Sequence, residues 1–340
     1  MAQTGKKVFL MAVRSGREDI IHNLEASGCT VIQGRSFTDS KYYTEDQLVE
    51  MVPEMDALMI STGEIITRRV LEAAVHLKVI SKSGRGVEGI DVSAATELGI
   101  MVTNTATELN THSTAEYAVA MLLAAAKHLK LGDQNARKGN WRSVQPVLLK
   151  NKTVGIVGLG RIGSRVASFL RPFGVMLLAY DPYVTSDKSK EIGVEMATLE
   201  TLLRESDFVT LNAVQTKESK GLIGEAQLAM MKQDAYIINT SRGGLIDEAA
   251  LAKSLKEKRI AGAALDVFEP EIPKPGNPLL DEDIYFNTLY SPHVAGLNQE
   301  NNWEMPIIQM ENCLNALLGG IPLYVVNPDV ISKWRERFNK

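Results

Sequence analysis

The 340-residue sequence predicts an α/β protein built as two doubly wound parallel-sheet domains. Three observations carry this. The chain exceeds the roughly 250–300 residues at which a single hydrophobic core stops growing. Its first part alternates short apolar runs with amphipathic stretches, and a second series of the same kind starts after Gly139 and Trp141. Strand and helix periods interleaved in this way belong to βαβ units, whose crossover helices cover a parallel sheet on both faces.

The first series reads as strands at 8–11, 30–32, 57–61, 78–81 and 99–102, with helical periods at 20–26 and 70–77. From 114 to about 131 the pattern becomes one long helix rich in Ala, Leu and Met. Its apolar surface is wider than the stripe a solvent-exposed helix needs, so it is expected to pack between domains or subunits. The second series has six strands, at 153–157, 176–180, 208–211, 235–239, 261–266 and 288–291, separated by stretches of helical length. A last amphipathic helix over 302–318 is stopped by Gly319, Gly320 and Pro322.

Composition narrows the class of function. A net charge of −4 with no Lys/Arg block gives no basic face for counterion release, so no nucleic-acid partner is expected and a small molecule is. No stretch approaches the roughly 18 apolar residues of a membrane span, so no membrane association is expected. Lys6 and Lys7 precede only a short apolar run without a cleavage site, which reads as a first strand rather than a leader. Cys29 and Cys313 suggest neither a disulfide framework nor a metal site; the cytoplasm is the default compartment.

The strand at 153–157 runs directly into Gly158-Leu159-Gly160-Arg161-Ile162-Gly163 and then a helical stretch. In such a turn Gly158 permits the tight bend, Gly160 lets backbone approach a pyrophosphate, and Gly163 allows close packing of helix on strand. Phosphates then sit at the positive end of the helix. Asp181 ends the next strand about 18 residues after Gly163, near the roughly 20 expected of a carboxylate that accepts from the adenosine ribose hydroxyls. That carboxylate repels the extra phosphate of NADP, and Pro182 and Tyr183 offer no basic replacement. NAD is the expected cofactor.

Three further polar residues fall where strands should end: Arg242 in NTSRGG, Glu271 after DVFEP, and His293 in SPH. An imidazole suits the transfer of a hydroxyl proton near neutral pH, a neighbouring carboxylate orients it, and a guanidinium can bind a substrate carboxylate with paired hydrogen bonds. Taken singly, each has an ordinary alternative: a helix cap, a solvated loop charge, a half-buried loop histidine.

In order and spacing, the segments 158–163, 238–247 (INTSRGGLID), 262–271 (GAALDVFEPE) and 291–293 resemble the motif series of the D-isomer-specific 2-hydroxyacid dehydrogenases. The similarity extends to 83–105, 113–116, 139–141 and 319–327, and so covers nearly the whole chain, in the manner of a phosphoglycerate dehydrogenase-like short form without a C-terminal regulatory domain. The resemblance implies that Arg242 binds substrate, Glu271 orients and His293 is the acid/base. It implies that Asp266 faces the nicotinamide carboxamide and that Arg161, Ile162 and Thr240 line the cofactor. It also implies a Rossmann NAD-binding domain, 104–296, inserted into a discontinuous flavodoxin-like substrate domain, 1–103 and 297–340. Closure of the cleft between them would exclude water. A homodimer through the helix at 114–131 is the family's usual assembly.

On the substrate side, the resemblance points to the loop 84–87, with Arg85 and Gly86, as a backbone nest for the substrate carboxylate, and to Ser61 and Thr62 as a second loop. Arg85 is unusual there. It is either a solvated loop arginine or a second cationic contact for a substrate with an additional carboxylate, phosphate or sulfonate. Phosphoglycerate dehydrogenases commonly carry an arginine before the serine of the other loop, which this chain lacks. Asn212-Ala213-Val214 replaces a usual His-x-Pro, and Asn298 a usual threonine. His112 enters the long helix and is a lesser candidate for reaching the site, while His22, His76 and His128 fall on helical patterns. Trp303 and Met305 are candidates for lining the substrate pocket or for packing.

The expected activity is reversible hydride transfer between NAD(H) and C2 of a small 2-hydroxy or 2-oxo acid. A 3-phosphoglycerate dehydrogenase is one alternative. An NAD-sensing module like the corepressors related to this family is another, disfavoured because all three chemical residues are present.

Overall fold

The computed structural model describes residues 5–39, 41–61 and 63–338. The chain divides into two compact units, one formed by the chain up to Asn110 and again from Gln299, the other by Thr111–Asn298.

The first unit opens with β1 (Lys7–Val13), α1 (Glu18–Ala26), β2 (Thr30–Ser36), α2 (Glu45–Met51), β3 (Ala57–Ile60), α3 (Arg68–Ala73), β4 (Val79–Lys82), α4 (Val92–Glu97) and β5 (Met101–Thr103). Its sheet is parallel throughout, in the order β2-β1-β3-β4-β5, the flavodoxin-like arrangement. Strands β3 and β4 are buried on both faces, as helices on each side require, and only the edge strand β2 keeps polar residues along its length. The short helices α2 and α4 escape the sequence reading because one turn or two of apolar periodicity does not rise above the loops around them. Thr44 marks the start of α2 with a capping box to Gln47.

The second unit contains α5 (Glu108–Ala126, begun in the last residues of the first unit), α6 (Leu129–Arg137), β6 (Thr153–Val157), α7 (Arg161–Leu170), β7 (Met176–Tyr180), α8 (Ser186–Ile192), β8 (Glu195–Met196), α9 (Leu199–Glu205), β9 (Phe208–Leu211), α10 (Glu225–Met230), β10 (Tyr236–Asn239), α11 (Glu248–Lys256), β11 (Gly262–Leu265) and β12 (Thr288–Tyr290). Seven parallel strands lie in the order β12-β11-β10-β9-β6-β7-β8. The six expected strands are present; β8, a two-residue edge strand, is the addition.

The expected single helix at 114–131 is two. Thr107 accepts from the Asn110 N–H and starts α5 six residues earlier, and His128, with a left-handed φ of 51°, separates α5 from α6. His128 therefore sits in a break rather than on a helical face. Ala115, Ala118, Val119, Leu122 and Ala126 pack with Val154, Ile156 and Val166 in one core of the second unit, so burial on its own sheet accounts for much of the wide apolar surface of α5.

The chain then returns to the first unit as α12 (Gln299–Leu317) and α13 (Ile331–Phe338). Buried Gln309 donates from Nε2 to the carbonyls of Ile60 and Ser81 at 2.8 and 2.6 Å, tying α12 to the ends of β3 and β4. Fully buried Trp334 donates to Lys78 O at 2.9 Å. Met305 is buried in this packing, whereas Trp303 is 60% exposed.

Candidate active site

In the second unit the glycine-rich turn follows β6 as the spacing requires. Gly158 has φ +92° and its N–H donates to Tyr180 O at 2.8 Å; a Cβ there would fall 2.6 Å from Ala213 N, so this turn admits only glycine. A Cβ on Gly163 would fall 2.0 Å from Gly158 O, which fixes how closely α7 approaches the turn. Gly160 is different: a Cβ there would meet nothing within 4 Å, so nothing in the chain itself demands glycine. Arg161 and Ile162 form the first turn of α7, whose N-terminal N–H groups carry the positive end of the helix. The Asp181 carboxylate accepts from Leu159 N at 2.8 Å and from Tyr183 N at 2.9 Å, so it holds the glycine turn with lone pairs to spare.

Strand β10 ends in Asn239, whose side chain organises the turn behind it, accepting from Ser241 N at 3.0 Å and donating to Arg242 O at 2.8 Å. Arg242 Nη1 donates to Ser241 O at 2.7 Å. A Cβ on Gly243 would lie 2.1 Å from Phe268 C, so glycine brings this loop onto the backbone leaving β11. Thr240 is buried, and its Oγ1 has no hydrogen-bond partner among the described residues.

Beyond β11 and β12 the two remaining chemical residues meet. His293 Nδ1 lies 2.5 Å from Glu271 Oε1, with both side chains partly open to solvent. An ionised carboxylate only accepts, so Nδ1 carries the proton and Nε2 is left to exchange one. His293 is held at φ +55°, a region uncommon for residues other than glycine. Asp266, fully buried, supplies the anchor: its carboxylate accepts from Ser291 Oγ at 2.5 Å, Val294 N at 3.0 Å and Ala295 N at 2.9 Å. Tyr290 donates to Leu279 O at 2.6 Å, and burial pushes its phenol up to about 12, so it serves here as a neutral donor.

One positioning residue has no signature in the sequence. Glu248, in the first turn of α11, accepts from Glu269 N and from Asn277 Nδ2, both at 2.7 Å, and so holds the loop that bears Glu271. A surface-type Glu after an N-cap reads as a helix start; only the fold brings the loop to it. His112 stands edge-on to Phe169 at 5.0 Å between ring centroids, which gives it a packing role on α7.

Thr62, Arg85 and Gly86 belong to the first unit. Thr62 lies outside the described residues. Gly84 turns the chain with φ +85°, donates to Thr105 Oγ1 at 2.7 Å and accepts from Thr105 N at 3.1 Å. Its N–H is thereby committed, so a nest in this loop falls to Arg85 and Gly86. Arg85 is exposed, and its carbonyl accepts from Asn104 Nδ2 at 2.9 Å. At the other loop, buried Glu64 pairs with Arg35 at 2.5 Å and accepts from Ser61 Oγ at 3.1 Å.

Residues 119–295 match the family model described as D-isomer specific 2-hydroxyacid dehydrogenase, NAD binding domain. A glyoxylate reductase of Korarchaeum cryptofilum is 41% identical over 290 residues, covering 84% of this chain and 86% of that protein. A D-3-phosphoglycerate dehydrogenase of Archaeoglobus fulgidus is 39% identical over 278 residues, 81% of this chain. The chain spans about half the length of that protein, 52%. Among solved structures, the TT0316 protein of Thermus thermophilus superposes with a TM-score of 0.82 at 31% identity, over 94% of this chain and 99% of the other. A D-lactate dehydrogenase of Aquifex aeolicus, complexed with NAD and lactic acid, superposes with a TM-score of 0.80 at 26% identity, over 94% and 99%.

Proposed function

The chain belongs to the D-isomer-specific 2-hydroxyacid dehydrogenase family, and from that premise we propose that it is an NAD-dependent enzyme that interconverts a small 2-hydroxy acid and its 2-oxo acid. The observation that carries the reading is the Glu271–His293 pair at 2.5 Å, beyond the carboxyl ends of the strands whose sheet also carries the glycine turn.

The residues present fit NAD. Open space beside Gly160 suits a pyrophosphate, the positive end of α7 suits its charge, and the Asp181 carboxylate suits ribose hydroxyls while opposing the phosphate of NADP. The buried, unpartnered hydroxyl of Thr240 suits a polar group of the same ligand. When bound, NAD accepts or supplies the hydride.

The chain's own residues supply the rest. His293 Nε2 takes the proton of the substrate hydroxyl in oxidation and returns it in reduction. Glu271 accepts from Nδ1 and so fixes the ring and its tautomer. Arg242 binds the carboxylate, its guanidinium partly immobilised by the bond to Ser241 O. In this reading the second unit is the NAD-binding domain, and the first unit, with Thr62, Arg85 and Gly86, is the substrate domain. The 41% and 39% identity to two glyoxylate reductases supports a 2-oxo acid of a few carbons.

The dimer expected of the family is part of the proposal. Trp141, Leu148 and Leu129, which follow α5, are each exposed, as apolar residues that a second copy would cover can be. The buried cysteines Cys29 and Cys313 suit a reducing compartment, and no helix among the described residues is long and apolar enough to cross a membrane.

The test is NADH oxidation with glyoxylate, pyruvate and hydroxypyruvate, with His293→Ala and Arg242→Ala alongside. Turnover that both substitutions abolish, while His293→Ala still binds NADH, is the expected result. Full activity in either variant would overturn the assignment.

A further inference from the structure

At the carboxyl edge of the second unit's sheet, the order β12-β11-β10-β9-β6-β7-β8 changes direction between β6 and β9. Open parallel sheets bind their ligands at such a switch point. Asn212 stands in it: its N–H donates to Val157 O at 2.7 Å, and a Cβ on Gly158 would fall 2.8 Å from its carbonyl carbon. Leu211 pairs with Asn239 in the ladder, so the next residues, Asn212 and Thr240, leave neighbouring strand ends.

Both carry an oxygen that the fold does not use. Among the described residues of the second unit, buried side-chain oxygens without a hydrogen-bond partner occur on Ser206, Asn212, Gln215, Thr240 and Asn287. Ser206 and Asn287 precede β9 and β12, at the opposite edge of the sheet. Gln215 is turned to the next loop, where a Cβ on Gly244 would lie 2.6 Å from its Oε1. Of these residues, only Asn212 and Thr240 directly follow a strand at the ligand edge. An oxygen held out of water without a partner costs free energy that a bound ligand returns.

The chemistry of the two atoms restricts what they take. Asn212 spends Nδ2 on Thr210, on its carbonyl at 3.2 Å and its hydroxyl at 3.3 Å, so the amide is oriented and Oδ1 is left to accept. Such an atom repels phosphate oxygens and needs a donor. Thr240 Oγ1 both donates and accepts, so a vicinal diol matches the pair. Position agrees with this. Asp181 follows β7 and the glycine turn follows β6, which puts the adenosine ribose and the pyrophosphate on that side in the reading above. With strands roughly 4.8 Å apart, the ends of β9 and β10 lie about 5–10 Å beyond the turn, within reach of the sugar joined to the far phosphate.

We propose that Asn212 Oδ1 and Thr240 Oγ1 together hold the 2′,3′-diol of the nicotinamide-side ribose. The chain's departure from the expected His-x-Pro thus falls on a residue that contacts the cofactor through its side chain. The inference rests on the NAD reading above and adds which part of the cofactor this edge recognises.

It is tested on the full chain by titration calorimetry with ADP, which lacks the second sugar, and with ADP-ribose, which has it. Thr240→Val and Asn212→Leu should each lower the ratio of ADP-ribose to ADP affinity by roughly 5–20-fold, with ADP itself within about twofold of wild type. Thr240→Ser, which keeps the hydroxyl, should keep most of the ratio. Thr240→Val removes an oxygen that the chain alone does not use, so its Tm without ligand should equal or exceed that of wild type. Asn212→Leu also strands the Thr210 acceptors and should lower Tm, and a ratio of two ligands within one protein is insensitive to that loss. An unchanged ratio in either variant, or an ADP affinity that falls as far as that for ADP-ribose, overturns the assignment to the diol while ADP binding by wild type keeps the NAD reading intact. If wild type binds neither ligand nor NADH, the NAD reading fails and this inference falls with it.

Discussion

The backbone N–H of His293 donates to the carbonyl of Asp266 at 2.8 Å, while the Asp266 carboxylate gathers Ser291, Val294 and Ala295 around the same histidine. Four hydrogen bonds from one buried residue thus hold His293 in its left-handed conformation. The resemblance assigns Asp266 to the nicotinamide; the geometry gives it a second task, and the two can be separated. Asp266→Asn sets an NH2 against the N–H of either Val294 or Ala295, at a cost of about 1–3 kcal/mol. The expected outcome is a kcat at least about tenfold lower, with NADH affinity within about threefold, read by turnover and by fluorescence titration. Lost affinity with unchanged kcat would make Asp266 a cofactor contact instead.

Glu271 acts through His293. Removing the imidazole in His293→Ala should lower kcat by about 10²–10⁴-fold, the range of general acid–base catalysis. Glu271→Gln leaves the ring in place but exchanges an anionic acceptor for a neutral one. Its kcat should fall less than that of His293→Ala, with NADH affinity within about threefold of wild type. A Glu271→Gln enzyme with the wild-type kcat would deny the pair its role.

Asp181 should decide between the two nicotinamide cofactors. Asp181→Ser removes the carboxylate that opposes a phosphate and also loosens Leu159, to which it is bonded at 2.8 Å. NADH affinity should drop about tenfold and NADPH affinity should not, which narrows the ratio of the two measured by titration. An unchanged ratio would leave Asp181 as a brace of the turn and no more.

How far this could be read from residues alone differs between the two units. In the second, strand ends, glycine turn and acid/base residues follow one another in sequence, so period and motif suffice to locate Arg242, Glu271 and His293. What holds them is not legible: Glu248 reaches Glu269 and Asn277 across more than 20 residues, and nothing local announces it. In the first unit the signal is weaker still. Arg14, Arg17 and Arg35 look alike as surface-type arginines, and only their contacts with Asn302, Asp19 and Glu64 tell them apart.

Asp207 predicts a pH dependence of stability in the second unit. Burial pushes its carboxyl up, but the Thr153 N–H at 2.8 Å and the ammonium groups of Lys232 and Lys152 at 3.2 and 3.4 Å outweigh this and hold it below the usual aspartate range. A group depressed in the fold adds stability above its unfolded value, near 3.9, and that contribution fades as pH falls through the folded value. Asp207→Asn should therefore lower Tm by a few degrees at pH 7, and the difference from wild type should shrink below about pH 4. A difference that stays constant down to pH 3 would refute the ion pairs as its source.

Gly160 and Gly163 are three residues apart in one turn, yet they should respond to alanine in opposite ways. At Gly163 the new Cβ falls 2.0 Å from Gly158 O, a contact backbone cannot relieve without moving α7, so Tm should drop by several degrees and cofactor affinity should drop with it. At Gly160 the Cβ meets no atom of the chain, and φ is −73°, which alanine adopts readily. Gly160→Ala should keep the wild-type Tm without cofactor and lose NADH affinity by tenfold or more, because the space it fills is the one proposed for the pyrophosphate. Thermal unfolding with and without NADH separates the two effects. A Gly160→Ala protein stabilised by NADH as strongly as wild type would show that the phosphates bind elsewhere, whatever the glycine turn resembles.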